Sequence, residues 1–167
     1  MKMKKSDLIL IGGVLLVILI SFLAFNVKSE KIEVPVKLEG NPGINEITYS
    51  EYEEKINNEE TFLVMIVNDG CSYCEMFIPV MTEVANEYSI PVYSLNLANL
   101  TSDEYNSLSN SNSYLKRKQW GTPTTLLMQG KTVIDSIGGY VEKENLVSFV
   151  KENIVLTSDE ENSNNVE

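Results

Sequence analysis

The two cysteines of this 167-residue chain, Cys71 and Cys74, stand in a single Cys-Ser-Tyr-Cys stretch. They follow an apolar run, Phe62-Leu63-Val64-Met65-Ile66-Val67, and open a segment that reads as a helix from Glu75 to Tyr88. A cysteine pair at a strand-to-helix junction is a redox signature. The start of a helix offers unpaired N–H donors and a partial positive charge. Both favour the thiolate, the form of cysteine that attacks a disulfide. An unperturbed thiol is only about 3 per cent thiolate at pH 7; a pKa near 7 makes that about half.

Other chemistry for the pair is limited. A structural disulfide across so short a loop restricts the unfolded chain little. Structural zinc takes about four ligands. This chain has no histidine and no further cysteine, which leaves one pair with carboxylates, or two pairs shared in a dimer. The lack of histidine also removes hydrolase schemes that need an imidazole base. No organic cofactor and no metal are expected, because the sulfur pair is itself the redox group.

Leu8 to Phe25 is an uncharged apolar run behind Lys2, Lys4 and Lys5. As a helix it reaches about 27 Å, close to a bilayer core of about 30 Å. The leading lysines keep the N-terminus cytoplasmic and place the rest outside. Ala24-Phe25-Asn26-Val27-Lys28-Ser29 is a poor signal-peptidase site, so an uncleaved anchor is expected over a cleaved signal. Of 13 basic and 24 acidic residues, three and one precede Asn26, giving the remainder a net charge of −13. That balance does not suit nucleic acid, where basic groups drive binding to phosphates. An extracytoplasmic location permits disulfides.

Residues 26–45 carry Pro35, Gly40, Pro42 and Gly43 and read as a linker. Thr48-Tyr49-Ser50-Glu51 is a capping box that starts a helix to about Asn58. Thr61 to Val67 and Pro91 to Leu97 read as strands. Thr101-Ser102-Asp103-Glu104 opens a second capped helix whose Ser/Asn-rich continuation predicts a break. Thr124 to Met128 and Thr132 to Ile137 flank Gln129-Gly130-Lys131 at hairpin spacing. Glu142 to Ile154 closes as a helix with Leu146, Phe149 and Val150 on one face. The division expected is a cytoplasmic N-terminus (1–7), an anchor (8–25), a linker (26–45), one domain (46–155) and a disordered acidic tail (156–167).

Over about 110 residues the chain resembles the thioredoxin-fold family. Cys71 and Cys74 match the family's redox pair, and Pro79 matches the proline of its active-site helix. Trp120-Gly121-Thr122-Pro123-Thr124 matches the family's Gly-x-Pro-Thr element, whose proline is cis, and Gly138-Gly139 matches a glycine after its last strand. The resemblance implies an α/β thioredoxin fold: a central mixed sheet of four or five strands flanked by helices, here preceded by one transmembrane helix. It implies Cys71 as nucleophile and Cys74 as resolving thiol. It implies client contacts at Thr122 and Pro123, with Tyr73 and Trp120 as further candidates. More narrowly, the chain is similar to membrane-anchored, thioredoxin-like bacteriocin transport accessory proteins of Gram-positive bacteria. It departs from thioredoxins at Met65 (a buried aspartate there), about Ser94 (a lysine), Gly70 (a tryptophan) and Ser72-Tyr73 (Gly-Pro). Those departures point to a variant tuned to another potential, or to a slower enzyme, rather than to a plain thioredoxin-like reductase.

The expected function is therefore a thiol–disulfide oxidoreductase in the cell membrane, single-pass, with its catalytic domain extracytoplasmic. Its partners would be exported or envelope proteins with thiols or disulfides, and a separate redox partner that regenerates the pair. The rival is a binding module for an exported peptide, its cysteines vestigial. Asp69, Glu75 and the Lys116-Arg117-Lys118 run are the charged groups expected near the site.

Overall fold

The structure is a computed structural model, described here for residues 34–117 and 119–156. Five strands alternate with helices: β1 Gly43–Ile47, α1 Tyr49–Asn57, β2 Thr61–Val67, α2 Ser72–Glu87, β3 Pro91–Asn96, α3 Ser102–Ser109, β4 Thr124–Gln129, β5 Thr132–Gly138 and α4 Lys143–Asn153. They form one sheet of order β1-β3-β2-β4-β5. β1, β3 and β2 run parallel, and β4 and β5 are antiparallel additions. This is the mixed, five-stranded form of the expected sheet.

Strand residues alternate between two cores, as the two-residue period of a strand dictates. Leu63, Met65, Val67, Val92 and Leu127 face Phe77, Met81 and Val84 of α2 and Leu146 and Val150 of α4. Phe62, Val64, Ile66, Leu95 and Leu126 face Tyr52 and Ile56 of α1 and Leu108 of α3. Because helices cover both faces, β2 reads as a continuous apolar run rather than an alternating one. On the second face Tyr52 is wholly buried, and its hydroxyl lies 3.0 Å from Ser111 Oγ. Burial pushes that phenol up to about 12, so it stays neutral and hydrogen-bonded throughout the physiological range.

Both capping boxes form: Glu51 N–H donates to Thr48 Oγ1 and Glu104 N–H to Thr101 Oγ1, each at 3.3 Å. The predicted break falls after Ser109, where Asn110 caps α3 and the chain resumes as a short 3-10 turn, Leu115–Arg117. At the β4–β5 hairpin Gly130 has φ +51 and its N–H reaches the Glu60 carbonyl at 2.9 Å. A left-handed turn residue of that kind favours glycine.

Several expected boundaries move. The segment read as a linker to Asn45 contains the start of β1, which pairs with β3 from Gly43↔Pro91 onward. Further upstream, Val36 N–H bonds to the Asn153 carbonyl and Val155 N–H to the Val36 carbonyl, both at 2.8 Å. The end of the chain's domain is likewise later than read: Leu156, assigned to the acidic tail, is buried in the first core. The cysteine helix begins at Ser72 rather than Glu75, so Cys74 sits inside it. Among the described residues no helix is long and apolar enough to cross a membrane. The run Leu8 to Phe25 and the tail from Thr157 lie outside the described residues, as does Lys118.

Candidate active site

β2, the central strand, carries the chain to its C-terminal end, and a tight turn redirects it into α2. The Cys71 N–H closes that turn on the Asn68 carbonyl at 3.2 Å. Gly70 within it has φ +71 and an open surrounding. The tryptophan of typical thioredoxins would be strained in this left-handed conformation, which gives the glycine a local reason.

Cys71 is the N-cap of α2, half-buried, and joined to Cys74 by a disulfide. Its carbonyl accepts from Cys74 N–H at 2.9 Å and Glu75 N–H at 3.1 Å, and its Sγ accepts from Cys74 N–H at 3.2 Å. A capping side chain is normally a neutral or anionic oxygen. Here sulfur fills that role, so the N–H aimed at it favours the charged form once the bond is reduced. Cys74 differs sharply: it is 2% exposed and belongs to the core beneath α2. One sulfur faces outward and the other is held behind it, which orders attack and resolution.

Across from the pair, the Thr122–Pro123 bond is cis. Thr122 places its carbonyl oxygen 3.3 Å from Cys71 Sγ. In the disulfide that sulfur carries no proton, so this is a close contact; in the reduced protein a Cys71 thiol can donate there. The loop is pinned from both sides. Gly139 N–H donates to the Pro123 carbonyl at 2.8 Å, and Thr124 Oγ1 donates to the Gly121 carbonyl. Pro123 is buried and Thr122 half-exposed.

The remaining candidates separate. Tyr73, between the cysteines, is 63% exposed. Trp120 turns toward the second core: its indole N–H donates to the Leu115 carbonyl at 3.0 Å and its ring lies 6.3 Å from that of Tyr105. The cysteines border the opposite core, so Trp120 braces the α3–β4 connection. Lys116 and Arg117 are exposed at that connection, the Arg117 guanidinium 5.5 Å over Tyr114. Asp69 is held by Asn96 Nδ2 at 2.7 Å, and Glu75 is exposed on the first turn of α2.

Met65 takes the place of a buried acid, wholly buried and flanked in register by Ser94 on β3 and Thr125 on β4. The Thr125 hydroxyl is buried with no hydrogen-bond partner among the described residues. Among the described residues no group of acidic and cysteine side chains is arranged to hold a metal ion. Two features escaped the sequence reading. Met76 and Ile78 are exposed on α2 near the pair; the sole signal was their place off the buried Phe77–Met81–Val84 stripe. A groove of about 500 Å3 runs beside Cys74, walled in part by Glu46 of the unforeseen β1.

Comparison with known proteins agrees with this architecture. Residues 43–152 match the thioredoxin family. Among curated proteins, a thioredoxin of Buchnera aphidicola from Acyrthosiphon pisum is 30% identical over 112 residues, covering 66% of this chain and 96% of that one. Bloodstream-specific protein 2 of Trypanosoma brucei brucei is 26% identical over 108 residues, 65% of this chain and only 20% of that longer protein. Of solved structures, a thioredoxin from Nicotiana alata superimposes with TM-score 0.50 at 14% identity, covering 68% of this chain and 94% of its own. A Malassezia sympodialis thioredoxin gives TM-score 0.50 and 14% identity over 68% and 93% of the two chains. With its matched span beginning at β1 and ending in α4, and its cysteine pair capping α2, the chain belongs to the thioredoxin family.

Proposed function

We propose that this protein is a membrane-anchored, extracytoplasmic thiol–disulfide oxidoreductase acting on cysteines of exported or envelope proteins. Its family membership and its disulfide-forming Cys-x-x-Cys pair make the domain a thiol–disulfide oxidoreductase. The observation that carries the reading is the asymmetry of that pair: Cys71 Sγ caps a helix at the surface while Cys74 is buried behind it.

In the reducing direction, the Cys71 thiolate attacks a client disulfide. A Cys71–client disulfide forms, and one client thiolate leaves. Cys74, having lost its proton, then attacks the Cys71 sulfur. The Cys71–Cys74 bond closes, the second client thiolate leaves, and two electrons have passed to the client. The oxidising direction is the same sequence reversed. Thr122 contributes the backbone that faces the client beside Cys71, and exposed Tyr73 a contact at the rim. A second, separate redox partner restores the pair after each turnover.

The anchor reading rests on residues 8–25 and the lysines before them. The same features, with the Cys-x-Tyr-Cys pair, support the narrower assignment to the bacteriocin transport accessory group. There the client would be an exported peptide. Topology is testable in intact cells. After mild reduction, a membrane-impermeant maleimide should label Cys71 without lysis, and the protein should sediment with membranes. Deleting residues 1–25 should leave the domain unexported and out of reach. Labelling that requires lysis would overturn the extracytoplasmic placement.

A further inference from the structure

The groove beside Cys74 has a chemical character unlike the rest of the site. Four carboxylates line it, Glu46, Glu51, Asp69 and Glu75, and none of its lining residues is basic. Two are fixed in place. Glu51 accepts from Thr48 N–H at 2.7 Å and Oγ1 at 2.8 Å, and Asp69 accepts from Asn96. The Glu46 and Glu75 carboxylates have no hydrogen bond or ion pair among the described residues.

A second observation is independent of the charge. Ser94 lines the same groove at 8% exposure, and its hydroxyl finds no partner among the described residues. It stands opposite Glu46 in register, on the sheet face toward α2. That hydroxyl opens onto the groove, where a ligand's donor can bond to it in place of water. Ile47, Val67 and Ile78 also line it. Apolar side chains, a hydroxyl acceptor and four carboxylates in one groove suit a long aliphatic stem that ends in a cationic donor.

We propose that this groove is a specificity pocket for a lysine or arginine side chain of the client, close in sequence to the cysteine that Cys71 attacks. The proposal rests on the oxidoreductase reading and names its substrate class. An acidic client residue would meet four like charges, while a basic one is drawn in before the sulfurs meet.

The test uses the full-length chain in non-ionic detergent and three disulfide-bonded peptides that differ only in residues flanking the cysteine: Lys, Gln or Glu. At low ionic strength kcat/KM should favour the Lys peptide over the Glu peptide by at least about tenfold. That ratio should fall as salt is raised. In Glu46→Gln/Glu75→Gln it should collapse toward one. In Glu144→Gln/Glu152→Gln, on α4 away from the groove, it should persist. Because each ratio is taken within one variant, a change in intrinsic thiol reactivity cancels. Equal rates for the Lys and Glu peptides, or a preference that survives the Glu46/Glu75 change, would overturn the pocket. Failure to exchange with the Gln peptide as well would sink the oxidoreductase reading and the pocket with it.

Discussion

Replacing Cys74 with serine will turn a transient mixed disulfide into a stable one on Cys71. The reason is positional. Cys74 lies in the helix behind Cys71, bonded to it in the oxidised protein and 2% exposed. Its attack on a Cys71–client bond is intramolecular, and without it only dilute external thiols can release the client. Effective molarities for oriented groups are very large, so the adduct should last on the order of a thousandfold longer. Non-reducing gels and mass spectrometry should show client bound to Cys71 in Cys74→Ser. Cys71→Ser should give almost no adduct, because the buried thiol left behind cannot reach a protein disulfide. Client capture indifferent to both substitutions would instead support the escort reading, in which the cysteines are vestigial.

The largest expected effect on stability is at Phe77. It is wholly buried in α2, and its ring meets Tyr140 edge-to-face at 6.3 Å. It packs within the core that holds Cys74. Phe77→Ala should cost about 3–5 kcal/mol through lost burial and the cavity left behind. Against a total of about 5–15 kcal/mol for an ordinary domain, that is a severe loss. Met76→Ala, one residue away but 53% exposed, should stay within about 0.5 kcal/mol. Urea unfolding with the disulfide intact compares the two. Equal stability for both would mean that α2 is not docked as described. The same variant should loosen the frame that sets Cys71 against Thr122, lowering exchange rates as well.

Much of this arrangement is written locally. The strand Thr61–Val67 matches its sequence reading end to end, because a fully buried strand is a plain apolar run. Both capping boxes were legible at Thr48 and Thr101, since capping depends on side chains three residues apart. Gly130 marked its hairpin for the same local reason. What depends on distant partners was not legible. β1 hides behind Pro42 and Gly43 and exists because β3 offers a parallel edge. Val36 and Leu156 look like linker and tail in sequence, yet each is tied to the other end of the domain by backbone pairing and burial.

The site divides along the same line. The cysteine pair and the Gly-Thr-Pro-Thr element could be named from residue type, and folding brings them to 3.3 Å between Cys71 Sγ and the Thr122 carbonyl. Trp120 carried no sign of which core it would join, since it sits in a connection between faces. Asp69 and Glu75 flank the cysteines and were named, but the groove was invisible for a deeper reason: Glu46 and Ser94 come from separate strands that join that stretch only through parallel pairing. No spacing in the sequence relates Glu46 or Ser94 to the cysteine pair.

Equilibrating the full-length chain with graded ratios of reduced to oxidised glutathione, and counting free thiols at each, tests the central claim most directly. The account predicts a reversible two-electron transition of Cys71 and Cys74, with a midpoint between about −270 and −120 mV. Opening only below about −300 mV, as expected of a structural bridge, would contradict it. So would a pair that does not reclose when the oxidised form is restored.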